Sequence, residues 1–395
     1  MKKVYIAGSC RTAVGKMNGG LGNVEPRALG AVVIKEALRR AGVAPEKVDM
    51  VFMGCVLQAA HGQNIARQSS LDAGLPVEVP ALSLNVVCGS GLMSVNIGAS
   101  LIQSGAADIV VAGGVESMTL AAYALKKGRN GYRLGDGKLV DTMVNDGLWD
   151  VFNQYHMGIT AENVAEKWGL TRKELDAFAA DSQQKAEKAV TSGRFKDEII
   201  PVEIHTKKGV VFFATDEGVR FGTTAENLAG LKPAFKKDGV VTAGNSSGIN
   251  DGAAAVVLFS EEKAAELGIV PEAEWINGAL SGVDPAIMGM GPVSAVRKVM
   301  ENTGYCIDDF DLVEANEAFA AQSVAVVREL KLDMAKTNVN GGAIALGHPI
   351  GASGCRILVT LLHEMKKRPE AKLGLATLCI GGGMGAAAVV RKINS

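Results

Sequence analysis

The chain repeats itself around an interruption, and that pattern restricts its fold more than any single motif. Ala41-Gly42-Val43, followed by Val48-Asp49-Met50-Val51, returns as Thr303-Gly304-Tyr305, followed by Phe310-Asp311-Leu312-Val313. Gly42 and Gly304 are 262 positions apart, and so are Asp49 and Asp311. Each stretch reads as a helix end, a turn and a buried strand. Cys88-Gly89-Ser90-Gly91 and Gly351-Ala352-Ser353-Gly354 each open a helix-like segment, now at an offset of 263. The last landmark breaks the rule: Gly252 to Val257 recurs as Gly385 to Val390 after only 133 positions. The difference between 262 and 133 leaves 129 extra residues in the first half.

The pattern predicts an α/β protein of two halves related by a pseudo-twofold axis, with a lobe inserted into the first half. Each half reads as strand, helix, strand, helix, strand and final strand. The expected divisions are residues 1–118 with 251–270, an inserted loop domain at 119–250, and a second half at 271–395. Polar helices such as 171–192 mark the insert, a natural place to grip a ligand. With 48 glycines and only 5% aromatic residues, the composition suits closely packed layers.

Several function classes recede. A formal net charge of -1 offers no electrostatic footprint for nucleic acid or an anionic membrane. Apolar runs such as Ala253 to Phe259 are too short to cross a bilayer. The chain enters a strand-like run at Val4 without a signal or transit pattern, so a cytoplasmic protein is expected. Six cysteines lie without any C-x-x-C spacing, which disfavours zinc-ribbon and thioredoxin readings. No G-x-G-x-x-G, Walker or H-E-x-x-H pattern occurs. The basic run Lys126, Lys127, Arg129, Arg133 and Lys138 reads as a solvated loop.

Four places carry chemistry. Cys88 follows the strand-like run 81–87 and precedes the helical run 92–103, with Gly89 and Gly91 beside it. A thiol at such a strand-to-helix turn faces the positive end of a helix dipole, which favours the thiolate. Cys379 ends the strand-like run 373–378 ahead of Gly381-Gly382-Gly383, whose backbone N–H groups are free to approach an oxyanion. The repeat sets Cys379 close to a Gly113-Gly114 turn in the first half. His348, one of five histidines, lies in a glycine-rich segment ending at the helix start that pairs with Cys88. A His–Cys pair provides an activated thiolate. Asn316 could donate to an oxyanion or hold a water, but the motif alone favours a helix N-cap.

Together, Asn85 to Gly91, Asn316-Glu317-Ala318-Phe319, Gly347-His348-Pro349 to Gly354, and Cys379 to Gly385 resemble the four signatures of thiolases. Tyr155 to Asn163 and Thr242 to Gly252 match as well, so the resemblance spans essentially the whole chain. The likeness is greatest to the short-chain, acetyl-transferring type. It implies a layered αβαβα core and a reversible Claisen condensation of two acetyl-CoA to acetoacetyl-CoA plus CoA, through an acetyl-cysteine in a ping-pong cycle.

In that resemblance Cys88 is the nucleophile. His348 takes its proton and lines one oxyanion hole, which Asn316 completes by holding a water. Cys379 is the acid/base at the α-carbon of the second substrate. The N–H groups of Cys88 and Gly381 form the hole for the acetylated thioester. Leu148, His156, Met157, Arg220, Phe235, Ala243, Ser247, Met288, Ala318 and Phe319 surround coenzyme A. No metal or resident cofactor is implied, since coenzyme A thioesters are the substrates. The family suggests a homotetramer built as a dimer of dimers, and a place in fatty acid metabolism. Asn227 departs from the Ser that related enzymes often have near the adenine. Two other readings remain: a degradative 3-ketoacyl-CoA thiolase of broader chain length, and a non-catalytic acyl-CoA or lipid carrier on the same fold.

Overall fold

The computed structural model describes residues 2–393. The first half contributes β1 (Val4–Thr12), α1 (Pro26–Ala41), β2 (Met50–Gly54), α2 (Ile65–Asp72), β3 (Ala81–Leu84), α3 (Ser90–Ser104) and β4 (Ile109–Ser117). The chain leaves the sheet at Ser117. It forms α4 (Met157–Lys167) and α5 (Arg172–Thr191) above the core, then returns as β5 (Asn250–Ser260). The second half supplies β6 (Ala273–Gly282), α6 (Gly291–Thr303), β7 (Leu312–Ala315), α7 (Ala320–Leu330), α8 (Ile350–Lys367), β8 (Leu373–Ile380) and β9 (Met384–Lys392).

The main strands pair in the order β7-β8-β9-β6-β1-β5-β4-β2-β3. The order reads symmetrically outward from the antiparallel β1/β6 contact, where Val4 faces Trp275. On one side β5 and β4 pair antiparallel and β2 and β3 add in parallel. On the other, β9 and β8 pair antiparallel and β7 adds in parallel. The first half therefore holds one strand more than the repeat predicts, β3. Among the described residues of the second half, only an isolated bridge from Val313 to Thr337 stands in its place.

Strand residues alternate between two buried faces, which is why these runs are almost wholly apolar. Val110, Ala112, Val256 and Leu258 turn inward onto Leu92, Val95 and Ala99 of α3 and onto Ile357, Leu358 and Leu361 of α8. Ile109, Val111, Val257 and Phe259 turn outward onto Leu29, Val33 and Ile34 of α1 and Ile65 of α2. In the second half Leu375, Ala387 and Val389 meet Val293 and Val296 of α6 and Ala321 and Ala325 of α7. Five layers result, helix, sheet, helix, sheet, helix, with α3 and α8 in the middle. Each fully buried Val or Leu contributes roughly 1.5–3 kcal/mol.

The two central helices touch at their first turns. A side-chain carbon at Gly91 would lie 2.8 Å from the Cys355 nitrogen, and one at Gly354 would lie 2.4 Å from the Leu92 nitrogen. The same crowding explains a departure from expectation. Gly113 and Gly114 form no turn and lie inside β4, where a carbon on Gly114 would strike the Gly351 carbonyl at 2.2 Å. The insert packs through Met157, Ala161 and Val164 of α4 and Leu175 and Ala179 of α5 onto the second half. Helix α5 opens with a capping box between Thr171 and Glu174.

Candidate active site

β3 stops at Leu84, short of the predicted run to Val87, because the chain must turn into α3 within a few residues. Val87 takes the left-handed conformation at φ 44°, which a β-branched side chain adopts only under strain. Ser90 holds the turn: its Oγ accepts from the Val86 N–H at 2.8 Å and donates to the Val87 carbonyl at 2.7 Å. Cys88 stands at the apex, half-buried, just ahead of α3. Gly89 lets the elbow press on the other half of the molecule, since a carbon there would meet Ile380 Cδ1 at 2.4 Å.

The N–H groups of Gly381 and of Cys88 itself favour the charged form of the Cys88 sulfur. Burial nevertheless pushes the thiol up to about 11, and those two donors only moderate the rise. Burial thus opposes the thiolate expected at the start of α3, and Cys88 rests as a thiol. Cys379 lies inside β8 opposite Gly385, one residue beyond the strand end read from sequence. It is buried, and its thiol is raised by burial first and then by the charge of Cys88. Gly382 and Gly383 take φ of 85° and 86° and reverse the chain into β9. Sulfur atoms from distant parts of the sequence therefore share one site.

His348 is buried just ahead of α8. Its N–H donates to Asn250 Oδ1 at 2.9 Å, and Nδ1 lies 2.6 Å from Ser353 Oγ. The Ser353 hydroxyl donates to the Pro349 carbonyl at 2.8 Å, so its oxygen accepts from the imidazole. We assign the tautomer protonated at Nδ1, with Nε2 free as a base. Burial, with the Arg356 charge adding to it, lowers the imidazole to about 3, so the ring rests neutral.

Asn316 is not a helix cap. Phe319 occupies the cap position of α7, with no side-chain cap bond. The Asn316 N–H donates instead to Thr377 at 2.9 Å, which holds the residue beside β8 and ahead of the helix. Its Nδ2 lies 3.4 and 3.5 Å from the two His348 nitrogens. Its buried Oδ1 has no partner among the described residues. An unanswered amide oxygen of this kind suits a water or a substrate group.

Three supporting residues escaped the sequence reading although each lies in or beside a quoted motif. Asn250 and Ser353 orient His348. Glu317 accepts from Ser182 at 2.7 Å, from Asn338 Nδ2 at 2.9 Å and from the Ile344 N–H at 3.2 Å, tying α5 to the Asn316 segment.

The residues expected around coenzyme A divide by depth. Met157, Met288, Ala318 and Phe319 are buried in one cluster with Cys379. A carbon on Gly381 would lie 3.6 Å from the Met157 sulfur. His156 stacks on Phe235 with ring centroids 4.8 Å apart, and Phe235 meets Phe319 edge-on at 6.1 Å. Burial lowers the His156 imidazole. Ser247 donates its N–H to Ala318 at 3.0 Å, and Leu148 packs in the cluster that includes Cys88. Ala243 and Arg220 are exposed, and Arg220 forms no ion pair among the described residues. Asn227 is also exposed, its amide 3.4 Å from the Gly222 carbonyl.

Residues 4–262 match the family model for the thiolase N-terminal domain, and residues 269–392 match that for the thiolase C-terminal domain. The chain is 59% identical over 388 residues to an acetyl-CoA acetyltransferase of Pseudomonas aeruginosa, covering 98% of each. It is 58% identical to that of Cupriavidus necator, over 99% of this chain and 100% of the other. Among solved structures, the acetyl-CoA acetyltransferase of Bacillus anthracis superposes with a TM-score of 0.97 at 46% identity, covering 100% and 99% of the two chains. Human mitochondrial 3-ketoacyl-CoA thiolase superposes at 0.96 with 44% identity, covering 99% of each.

Proposed function

The chain belongs to the thiolase family, and we propose that it is an acetyl-CoA C-acetyltransferase working through Cys88, His348, Asn316 and Cys379. One observation carries the reading: the Cys88 elbow is pressed against the Cys379 strand end, where a carbon on Gly89 would meet Ile380 Cδ1 at 2.4 Å and one on Gly381 would lie 3.4 Å from Val87 Cγ1.

The neutral pair sets the order of events. Cys88 gives its proton to His348 Nε2 as its sulfur attacks the acetyl-CoA carbonyl, so charge forms only as the new bond does. As the tetrahedral adduct collapses, the leaving CoA sulfur takes the Cys379 proton. The resulting Cys379 thiolate removes an α-proton from the second acetyl-CoA. Its enolate oxygen is met by His348, now protonated at Nε2, and by a water on Asn316. The enolate carbon attacks acetyl-Cys88, whose oxygen lies at the Cys88 and Gly381 N–H groups. Each such donor contributes on the order of 3 kcal/mol. The adduct expels the Cys88 sulfur, which recovers its proton from His348, and acetoacetyl-CoA departs. No resident cofactor enters this cycle.

Met157, Met288 and Phe319, buried in one cluster with Cys379, would line the acyl and pantetheine channel, with Leu148, His156, Phe235, Ser247 and Ala318 around it. Exposed Ala243 and Arg220 would lie toward the nucleotide. Assembly as a dimer of dimers, a cytoplasmic location and a part in fatty acid metabolism accompany this reading. The unpaired edge of β3 and the exposed Leu134 and Leu139 offer surface for assembly.

The decisive experiment is single-turnover labelling with acetyl-CoA. Wild-type protein should retain one acetyl group, Cys88→Ser should retain none, and Cys379→Ala should acetylate without condensing. A Cys379→Ala variant condensing at the native rate would remove the assigned base. Thiolysis should favour acetoacetyl-CoA over C8 or C16 substrates; the reverse order would point to the degradative reading.

A further inference from the structure

Glu116 is the pseudo-twofold counterpart of Cys379. Gly252 and Gly385 are equivalent landmarks of the repeat; β4 sets Glu116 opposite Gly252, and β8 sets Cys379 opposite Gly385. A carboxyl thus stands in the first half where the second thiol stands in the other. Glu116 is fully buried. Oε2 accepts from the N–H groups of Gly351 at 2.8 Å and Val56 at 3.1 Å. Oε1 accepts from the Leu57 N–H at 3.1 Å and faces the Cys55 sulfur at 3.7 Å.

These contacts join two parts of the site. Val56 and Leu57 pack with Met118, Met143, Ile350 and half-buried Cys88 in one apolar cluster. Gly351 is the second residue of α8, three beyond His348. One carboxyl therefore spans the wall beside the nucleophile and the helix turn that carries the base. Its partners are backbone donors and a thiol, with no basic side chain among them. A buried acid without a cation is a costly way to bridge two segments, and the start of α8 offsets only part of that cost.

We propose that Glu116 is a positioning residue for acyl transfer: its carboxyl fixes the Cys88 wall against the His348 turn, and its charge acts on the Cys88 sulfur. This rests on the acyl-transfer reading of Cys88 and His348. The titratable groups near it are Cys55, which follows β2, and Cys88 at the elbow, in the cluster with Val56 and Leu57. Opposite in β5 stands Gly252, and the first turn of α8 carries no acid. Burial pushes the Glu116 carboxyl up to about 7, against the pull of its backbone donors. It therefore gains its charge across the neutral range.

Glu116→Gln keeps the reach, removes the charge and sets an amide donor against a backbone N–H. The expected variant folds, forms acetyl-enzyme about 10- to 100-fold more slowly, and keeps KM for acetyl-CoA within about twofold. The midpoint of Cys88 alkylation by iodoacetamide should move to lower pH, because a negative neighbour is gone. Glu116→Asp should keep the wild-type midpoint and remain slow, because charge survives and reach does not. A folded Glu116→Gln with wild-type rate and midpoint would overturn the proposal, as would a slower variant with an unmoved midpoint. Should Glu116→Gln not fold, the wild-type alkylation profile decides: the logarithm of rate should flatten near pH 7 before climbing again, and an unbroken line overturns the proposal. If the wild-type protein itself took up no acetyl group, the acyl-transfer reading would fail instead.

Discussion

His348 Nδ1 and Ser353 Oγ lie 2.6 Å apart, and the serine's own proton is committed to the Pro349 carbonyl. The relationship works in one direction only. The imidazole must donate to the serine, which leaves Nε2 as the free base in the buried site.

Removing that lock should slow acetylation. Ser353→Ala leaves a buried Nδ1–H without its acceptor and lets the other tautomer compete. The loss of about 1–3 kcal/mol for an unsatisfied buried donor corresponds to roughly 5- to 150-fold in acetyl-enzyme formation. Ser353→Thr should retain most of the rate, because its hydroxyl can still accept from Nδ1. Single-turnover labelling of both variants checks this. Equal rates for Ala, Thr and wild type would mean that the serine does not set the tautomer.

The reactivity of Cys88 should climb without a plateau between pH 8 and 10. A preformed thiolate–imidazolium pair would be alkylated at a constant rate across neutrality. Here burial holds the thiol up at about 11 and the imidazole down at about 3. Between those values both groups are neutral, and the reactive thiolate is a small fraction that grows with pH. Alkylation by iodoacetamide should therefore rise about tenfold per unit between pH 8 and 10. A flat profile there would show that an ion pair is already formed.

Much of this site is legible in the primary chain because glycine marks where the backbone must turn or come close. Cys88 beside Gly89, and Cys379 before three glycines, both betray their positions. The pseudo-twofold order of the sheet follows from the spacing of Gly42, Asp49, Gly304 and Asp311. What stays hidden depends on contacts between distant segments. Asn316 resembles a cap in isolation, and only the Thr377 carbonyl shows that it belongs to the strand side of the motif. Gly113 and Gly114 resemble a turn until Gly351 is seen pressed against them. The thiolate expected from a helix dipole is opposed by burial, which raises the Cys88 thiol and which the primary chain does not reveal.

The contact between the central helices should tolerate no added methyl group. At Gly354 a new carbon would fall 2.4 Å from the Leu92 nitrogen and 2.8 Å from its Cβ, so backbone must move. Overpacking of this kind costs about 1–3 kcal/mol. Gly354→Ala should lower the melting temperature by several degrees. It should also depress acetylation below what the lost stability explains, since α3 and α8 start beside Cys88 and His348. Thermal melts paired with single-turnover rates at a temperature where the variant is folded test this. Gly304→Ala is a useful contrast. A carbon there meets nothing within 4 Å, so its penalty comes from a φ of 76° and should leave the chemical step unchanged.

Recognition of the nucleotide end of coenzyme A should separate cleanly from the chemistry. Arg220 is exposed and has no ion-pair partner among the described residues, so its charge is available to a phosphate. Its backbone is held independently: its N–H donates to Gln183 at 2.8 Å and its carbonyl accepts from Thr223 at 2.7 Å. Arg220→Ala should therefore preserve both fold and kcat. A solvent-screened ion pair contributes about 0.2–1 kcal/mol, so KM for acetyl-CoA should rise by up to about fivefold, and more at low ionic strength. Acetyl-pantetheine lacks the nucleotide and should react equally well with wild type and variant. Equal losses on both substrates would place Arg220 away from the phosphates and leave the exposed end of the insert without its assigned role.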